Sequence, residues 1–239
     1  MSRFRAVLTD IDGTMARSEN VHRDALKQVA KAYYGVELTD QQLDDINGKG
    51  AKKRFELVRD EARRNNPNAK VNEAEFREQL SAYFLTHWRQ IEPMPGAREF
   101  LNRAAEAGMR QAAVTNSQRD IGEVALSSLG ADRRHLEFVV AIDDVAEGKP
   151  SPASYLLAAE KMGLTSAEDR RQIIALEDSL VGVEAAKRAG LTVIQIQPDP
   201  KHVHPDADLV VTRLDDPRVA NLVGFRPNPN ARPGLGKAA

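Results

Sequence analysis

Apolar and polar positions along the 239-residue chain follow two alternating rhythms. Short aliphatic and β-branched runs occur at Phe4–Thr9, Arg110–Thr115, Phe138–Ile142, Ile173–Leu176 and Val193–Ile196, with a weaker one at Asp208–Val211. Apolar runs of this length suit strands buried on both faces. Between them, helical periodicity runs over Ala97–Ala107, Asp120–Leu129, Pro152–Met162 and Gly182–Ala189. Most of these segments stop at a glycine (Gly108, Gly130, Gly163, Gly190), the residue that most readily closes a helix in the left-handed conformation. Strand and helix in turn predict an α/β fold: a Rossmann-like parallel sheet with helices on both faces.

One region departs from this rhythm. From Ser18 to Gln90 only helical periodicity is present, at His22–Tyr34, Thr39–Asn47, Lys52–Arg64 and Asn72–Arg89. The stretch Ile91-Glu92-Pro93-Met94-Pro95-Gly96 then restores the alternation, and its two prolines suit a semi-rigid hinge. The pattern therefore divides the chain into a core of residues 1–17 and 91–225 and an all-helical insert over 18–90. The final stretch, 226–239, is rich in Pro, Gly and Asn without periodicity and is expected to be disordered.

Composition narrows the chemistry. The 34 Lys and Arg balance 35 Asp and Glu, a net charge of −1, which leaves no cationic field for nucleic acid or an anionic membrane. The absence of cysteine removes disulfides, thiolate metal sites and a Cys nucleophile. No apolar run approaches the roughly twenty residues of a membrane helix. The first residues lack the features of a signal peptide, so a cytoplasmic protein is expected, as a monomer or homodimer.

Loops at the carboxyl ends of parallel strands converge on one crevice. The first strand delivers Asp10 and Asp12 there, and the second delivers Thr115, Asn116 and Ser117. Lys149 follows the third strand, and Glu177 and Asp178 follow the fourth. Such a set suits phosphoryl transfer. Clustered carboxylates can hold Mg²⁺, a hard cation that prefers oxygen. A carboxylate can attack phosphorus to give an aspartyl-phosphate that water hydrolyses. Thr115, Asn116 and Lys149 can bind phosphate oxygens and neutralise charge. Of the two acids in the first loop, one must face phosphorus while the other manages a proton.

These residues resemble the haloacid dehalogenase superfamily of phosphohydrolases. Asp10-Ile11-Asp12-Gly13-Thr14 matches its first motif, Thr115 at the end of an apolar strand its second, Lys149 its third, and Glu177-Asp178 its fourth. The Leu-Glu-Asp-Ser wording with Gly182 following is similar to the branch of β-phosphoglucomutase and small sugar-phosphate phosphatases, whose helical cap is inserted after the first motif. The resemblance implies that Asp10 is the nucleophile and Asp12 the general acid/base. It also implies that Asp10, the Asp12 carbonyl and Asp178 hold Mg²⁺, with Glu177 coordinating or close by. The chain departs from the branch at Arg17, where an acid is usual, and at Ala153, where another acid is lost.

Within the insert, glycines bracket Lys49 in Asn47-Gly48-Lys49-Gly50, and seven basic residues face three acidic ones from Lys49 to Arg64. Gly48, Lys49 and Lys52 are thus candidates for contact with the distal part of a substrate. Phe76, Tyr83, Phe84 and Trp88 have the spacing of insert core. The resulting expectation is a Mg²⁺-dependent phosphatase acting on a small sugar or acid phosphate. The alternative is a sugar phosphomutase, disfavoured because Asn47 stands where the mutase has a lysine. A dehalogenase would not need Asp12 and the Glu177–Asp178 pair, and a phosphoacceptor signalling module would be about half this length.

Overall fold

The structure, a computed structural model, describes residues 3–46 and 50–225. Six parallel strands form the main sheet: β1 (Ala6–Thr9), β4 (Arg110–Val114), β5 (Val139–Val140), β6 (Ile173–Glu177), β7 (Thr192–Ile196) and β8 (Leu209–Val211). Their spatial order is β5-β4-β1-β6-β7-β8, so β1 lies inside, flanked by β4 and β6. Burial on both faces is why these strands are mostly aliphatic, with their polar residues chiefly at strand ends and at Gln111 and Gln195. Val7 and Ile174 pack on one side with α5 (Ala97–Glu106) and α6 (Arg119–Leu126). Ala6, Leu8 and Ala175 pack on the other with α7 (Ala153–Lys161) and α9 (Leu180–Arg188). Each fully buried Leu or Ile contributes roughly 1.5–3 kcal/mol. A charge at Leu8, which has no exposed surface, would therefore unseat the central strand.

The expected sheet and its two helical layers are present. The helices α8 (Ala167–Arg171) and α10 (Pro217–Val223) are additional; both are too short to show periodicity, and α8 is closed by a Ser166–Asp169 capping box. The helix expected over Asp120–Leu129 begins at Arg119 and tightens into 3₁₀ turns after Leu126.

The helical region holds α1 (Glu19–Tyr34), α2 (Asp40–Ile46), α3 (Gly50–Asn65) and α4 (Glu73–His87). Phe76 and Phe84 are fully buried, and Tyr83 and Trp88 pack against the same cluster. Asn72 starts α4 by accepting from the Ala74 and Glu75 amides at 2.8 and 3.2 Å. The two connections to the sheet are not independent linkers. They form an antiparallel ribbon, β2 (Ala16–Arg17) against β3 (Glu92–Pro93), with Ala16 opposite Pro93. The Met94 amide extends it by donating to the Met15 carbonyl at 2.9 Å. Gly48, Lys49 and the tail 226–239 lie outside the described residues.

Candidate active site

The carboxyl ends of β1, β4 and β6 open into a crevice of about 1080 Å³ lined by Asp10, Asp12, Thr115, Asn116, Lys149 and Asp178, with α1, α2, α3 and α4 supplying the opposite wall. Asp10 leaves β1 with its amide still donating to Leu176, which fixes its side chain beside the end of β6. After Asp12, the chain turns at Gly13 with φ +82. Any Cβ at Gly13 would lie 2.2 Å from Asp178 Oδ2, so the motif glycine serves both the turn and the close approach of Asp178.

Lys149 sits at the centre of the acidic cluster. Its Nζ donates to Asp10 Oδ1 at 2.7 Å, to Glu177 Oε1 at 2.6 Å and to the Val114 carbonyl at 2.9 Å. Burial opposes its charge, but the carboxylates of Asp10 and Glu177 more than offset this and raise its pKa. The Asn116 side chain aims this lysine: it accepts from the Lys149 amide at 2.8 Å and donates to the Lys149 carbonyl at 3.2 Å. Its amide group is thus engaged with the Lys149 main chain, a use different from the phosphate contact expected of it.

Glu177 has no exposed surface and is enclosed by donors. Tyr155 donates its hydroxyl to Glu177 Oε1 at 2.6 Å, and Ser179 donates to Oε2 at 3.3 Å. A Cβ at Gly182 would fall 1.9 Å from Oε2, which accounts for the glycine in the first turn of α9. Asp178 is held through its carbonyl, which accepts from the side-chain amides of Gln195 at 3.0 Å and Gln197 at 3.1 Å.

Oxygens of Asp10, Glu177 and Asp178 lie within 4.8 Å of one another. Burial, aggravated by the neighbouring carboxylates, pushes Asp10 up to about 8 and Asp178 well above the usual range. Three hard oxygen donors around one buried ammonium leave surplus negative charge, a donor set that fits Mg²⁺.

Asp12 has a different environment. Ser18 donates to its Oδ1 at 2.5 Å and His22 Nε2 contacts the same oxygen at 2.9 Å. Ser117 donates to Oδ2 at 2.7 Å, with Thr115 Oγ1 at 3.4 Å. Burial alone would raise this carboxyl, but these contacts overcome it and hold the group well below the usual carboxylate range. Arg54 NH1 lies 2.8 Å from His22 Nδ1. A guanidinium only donates, so Nδ1 accepts and the proton sits on Nε2, facing Asp12. Burial, with the Arg54 charge, depresses the His22 pKa against the opposing pull of Asp12.

Asp10, Asp12, Thr115, Lys149, Glu177 and Asp178 are thus brought together as expected of them. Lys52 is not: it is exposed on α3 and does not line the crevice, whereas Arg54 does. Sequence reasoning placed Ser117 at the crevice without giving it a role, and it missed Ser18, Tyr155 and Gln195. The only available signal was a glutamine within the buried run Val193-Ile194-Gln195-Ile196.

Residues 4–190 match the haloacid dehalogenase-like hydrolase family. The chain is 31% identical over 189 residues to validoxylamine A 7'-phosphate phosphatase of Streptomyces hygroscopicus subsp. limoneus, covering 79% of this chain and 83% of that one. It is 29% identical over 204 residues to fructose-1-phosphate phosphatase of Escherichia coli K12, covering 82% and 97%. Among solved structures, CbbY from Rhodobacter sphaeroides in complex with phosphate superposes with a TM-score of 0.78 at 25% identity, over 93% of this chain and 100% of that one. The motif residues, the sheet that gathers them and these likenesses agree, and the chain belongs to the haloacid dehalogenase-like hydrolase family.

Proposed function

We propose that this protein is a Mg²⁺-dependent phosphatase that hydrolyses a small phosphorylated metabolite, in the class of the sugar phosphates named for its relatives. Residues 1–17 and 91–225 act as the catalytic core and 18–90 as a cap. The observation that carries the reading is the different partnering of the two acids of the first loop. Asp10 faces Lys149 and the acidic cluster, while Asp12 faces hydroxyls and an imidazole.

In this reading an Asp10 oxygen attacks phosphorus, and the bond to the leaving oxygen breaks as Asp12 gives that oxygen a proton. Water then attacks the aspartyl-phosphate, Asp12 takes the water's proton, and phosphate departs with the Asp10 carboxylate restored. Contacts with His22, Ser18 and Ser117 hold Asp12 as a carboxylate against burial. A phosphoryl dianion arriving beside it favours the protonated form, which equips it for the first step. Lys149 neutralises charge on Asp10 and on the transferring group. Asp10, Asp178 and the Asp12 carbonyl would hold Mg²⁺, with Glu177 beside them. When bound, the ion supplies further charge neutralisation at the phosphoryl oxygens.

The test is phosphate release over a panel of phosphorylated metabolites, with Asp10→Asn as the control. The substitution keeps shape and removes the nucleophile, so turnover should fall by orders of magnitude while the melting curve stays cooperative. Retention of more than about a tenth of wild-type turnover would remove Asp10 from the mechanism. A phosphomutase would instead convert a hexose 1-phosphate to its 6-phosphate faster than it releases phosphate.

A further inference from the structure

Among the described residues, three lysine or arginine side chains line the crevice: Arg17, Arg54 and Lys149. Two have fixed partners in the protein. Lys149 is held by Asp10 and Glu177, and Arg54 by His22. Arg17 has no hydrogen-bond or ion-pair partner among the described residues. An acid is at hand, since Glu92 stands opposite it across the β2–β3 ribbon, but the two side chains form no ion pair. On the helical wall, Asp44 is engaged by Arg23 at 2.5 Å and Asp45 by Gln41 at 2.8 Å.

The position of Arg17 gives this free charge a direction. Its predecessor Ala16 is bridged to Asp12, and its successor Ser18 donates to the Asp12 carboxylate. Ala16 and Ser18 are fully buried and Arg17 is exposed, so the strand turns its neighbours inward and Arg17 outward into the crevice. The backbone that presents Arg17 is tied by the ribbon and by Asp12, which handles the proton of the leaving oxygen. The guanidinium therefore stands on the Asp12 side of the crevice, the side of the leaving oxygen in the proposed mechanism, with no ion pair to any described carboxylate.

We propose that Arg17 is a specificity-determining residue that receives a second oxyanion on the substrate. The substrate is then a phosphate monoester of a small molecule that is itself acidic, through a carboxylate or a further phosphate. The planar fork of a guanidinium matches either group with paired hydrogen bonds. This inference rests on the phosphatase reading and narrows its substrate class. A contact so far from phosphorus is made equally in the ground and transition states, so it acts on KM more than on kcat.

The experiment compares the Mg²⁺-loaded wild type, Arg17→Gln and Arg17→Lys on two matched pairs. Glycerol 3-phosphate against 3-phosphoglycerate tests a carboxylate; fructose 1-phosphate against fructose 1,6-bisphosphate tests a second phosphate. Arg17→Gln should lose about 10- to 100-fold in kcat/KM, mostly through KM, on the acidic member of at least one pair. The neutral members should change less than about 2-fold, and Arg17→Lys should recover part of the loss. The pair that responds identifies the oxyanion. Equal losses on neutral and acidic members, no loss on either acidic member, or a wild type that disfavours both acidic members would overturn the inference and leave the phosphatase reading standing. A wild type that releases phosphate from none of the four, nor from 4-nitrophenyl phosphate, would end the phosphatase reading and this inference with it.

Discussion

Replacing Tyr155 with Phe removes a single oxygen from beneath the active site, and the structure sets what that oxygen contributes. Tyr155 has no exposed surface, and its hydroxyl donates to Glu177 Oε1 at 2.6 Å. Its ring packs with Ala158, Ala159 and Val183 and would remain in place in the variant. The loss is therefore a hydrogen bond to a buried charged group, worth about 1.5–3 kcal/mol, without the roughly 3–5 kcal/mol cavity cost of deleting a whole aromatic ring. For a protein of this size, about 2 kcal/mol corresponds to a drop of roughly 4–8 °C in Tm. Lys149 keeps Asp10 at 2.7 Å, the Val114 carbonyl at 2.9 Å and Glu177 itself, so turnover should fall less than about 10-fold and KM should hold. Urea unfolding followed by circular dichroism, with and without Mg²⁺, measures the stability change. A loss below about 0.5 kcal/mol would mean that Glu177 gains nothing from the phenol. A loss as large as that of Tyr155→Ala would mean that the fold, and not this hydrogen bond, had been perturbed.

Three further outcomes are expected. Gly182→Ala should lower both stability and turnover, although helix propensity alone would favour Ala by about 1 kcal/mol, because the added carbon meets Glu177 Oε2 at 1.9 Å; a more stable, fully active variant would refute the packing argument. Ser18→Ala, which removes the 2.5 Å donor to Asp12, should reduce hydrolysis of alkyl phosphates about 10-fold more than hydrolysis of aryl phosphates, whose leaving groups need no proton; equal losses would make Ser18 structural. Added Mg²⁺ should raise the Tm of the wild type by relieving repulsion among Asp10, Glu177 and Asp178, and Asp178→Asn should abolish the shift; full turnover in excess chelator would remove the metal from the mechanism.

The fold was legible because parallel strands buried on both faces write continuous apolar runs, and because helices between them end at glycines. The principal acids were legible because each stands at or just past a strand end with its own short signature, and Lys149 because a Gly-Lys-Pro turn marks it in the loop that follows β5. What escaped did so for physical reasons. The β2–β3 ribbon pairs only two residues on each strand, too few for any period to register. Tyr155 occupies a helix position where an aromatic looks like ordinary core. Ser18 is a small hydroxyl whose partner lies in another loop. Lys52 and Arg54 are two residues apart on α3, which turns them roughly 200° from one another. Both lie in the same basic stretch, but the structure shows that only Arg54 faces the crevice.

The ribbon also bears on how such an enzyme can change over evolution. Because Ala16 and Pro93 are paired, the chain leaves and re-enters the core at one point. Segments of other lengths could be transplanted between these two strands without disturbing β1 or the loops that carry Asp10, Lys149 and Asp178. Such an exchange would alter which molecules are admitted and leave the phosphoryl chemistry intact. Two threads cross the graft line. Ser81 of α4 donates to Asp120 of α6, which seats that helix on the core. Asp12 takes two of its hydrogen-bonding contacts from Ser18 and His22, and His22 in turn is set by Arg54. A donor segment lacking equivalents of those three residues would leave Asp12 without its setting. Chimaeras built at this junction should therefore preserve the trio and the Ser81–Asp120 contact and vary what lies beyond them.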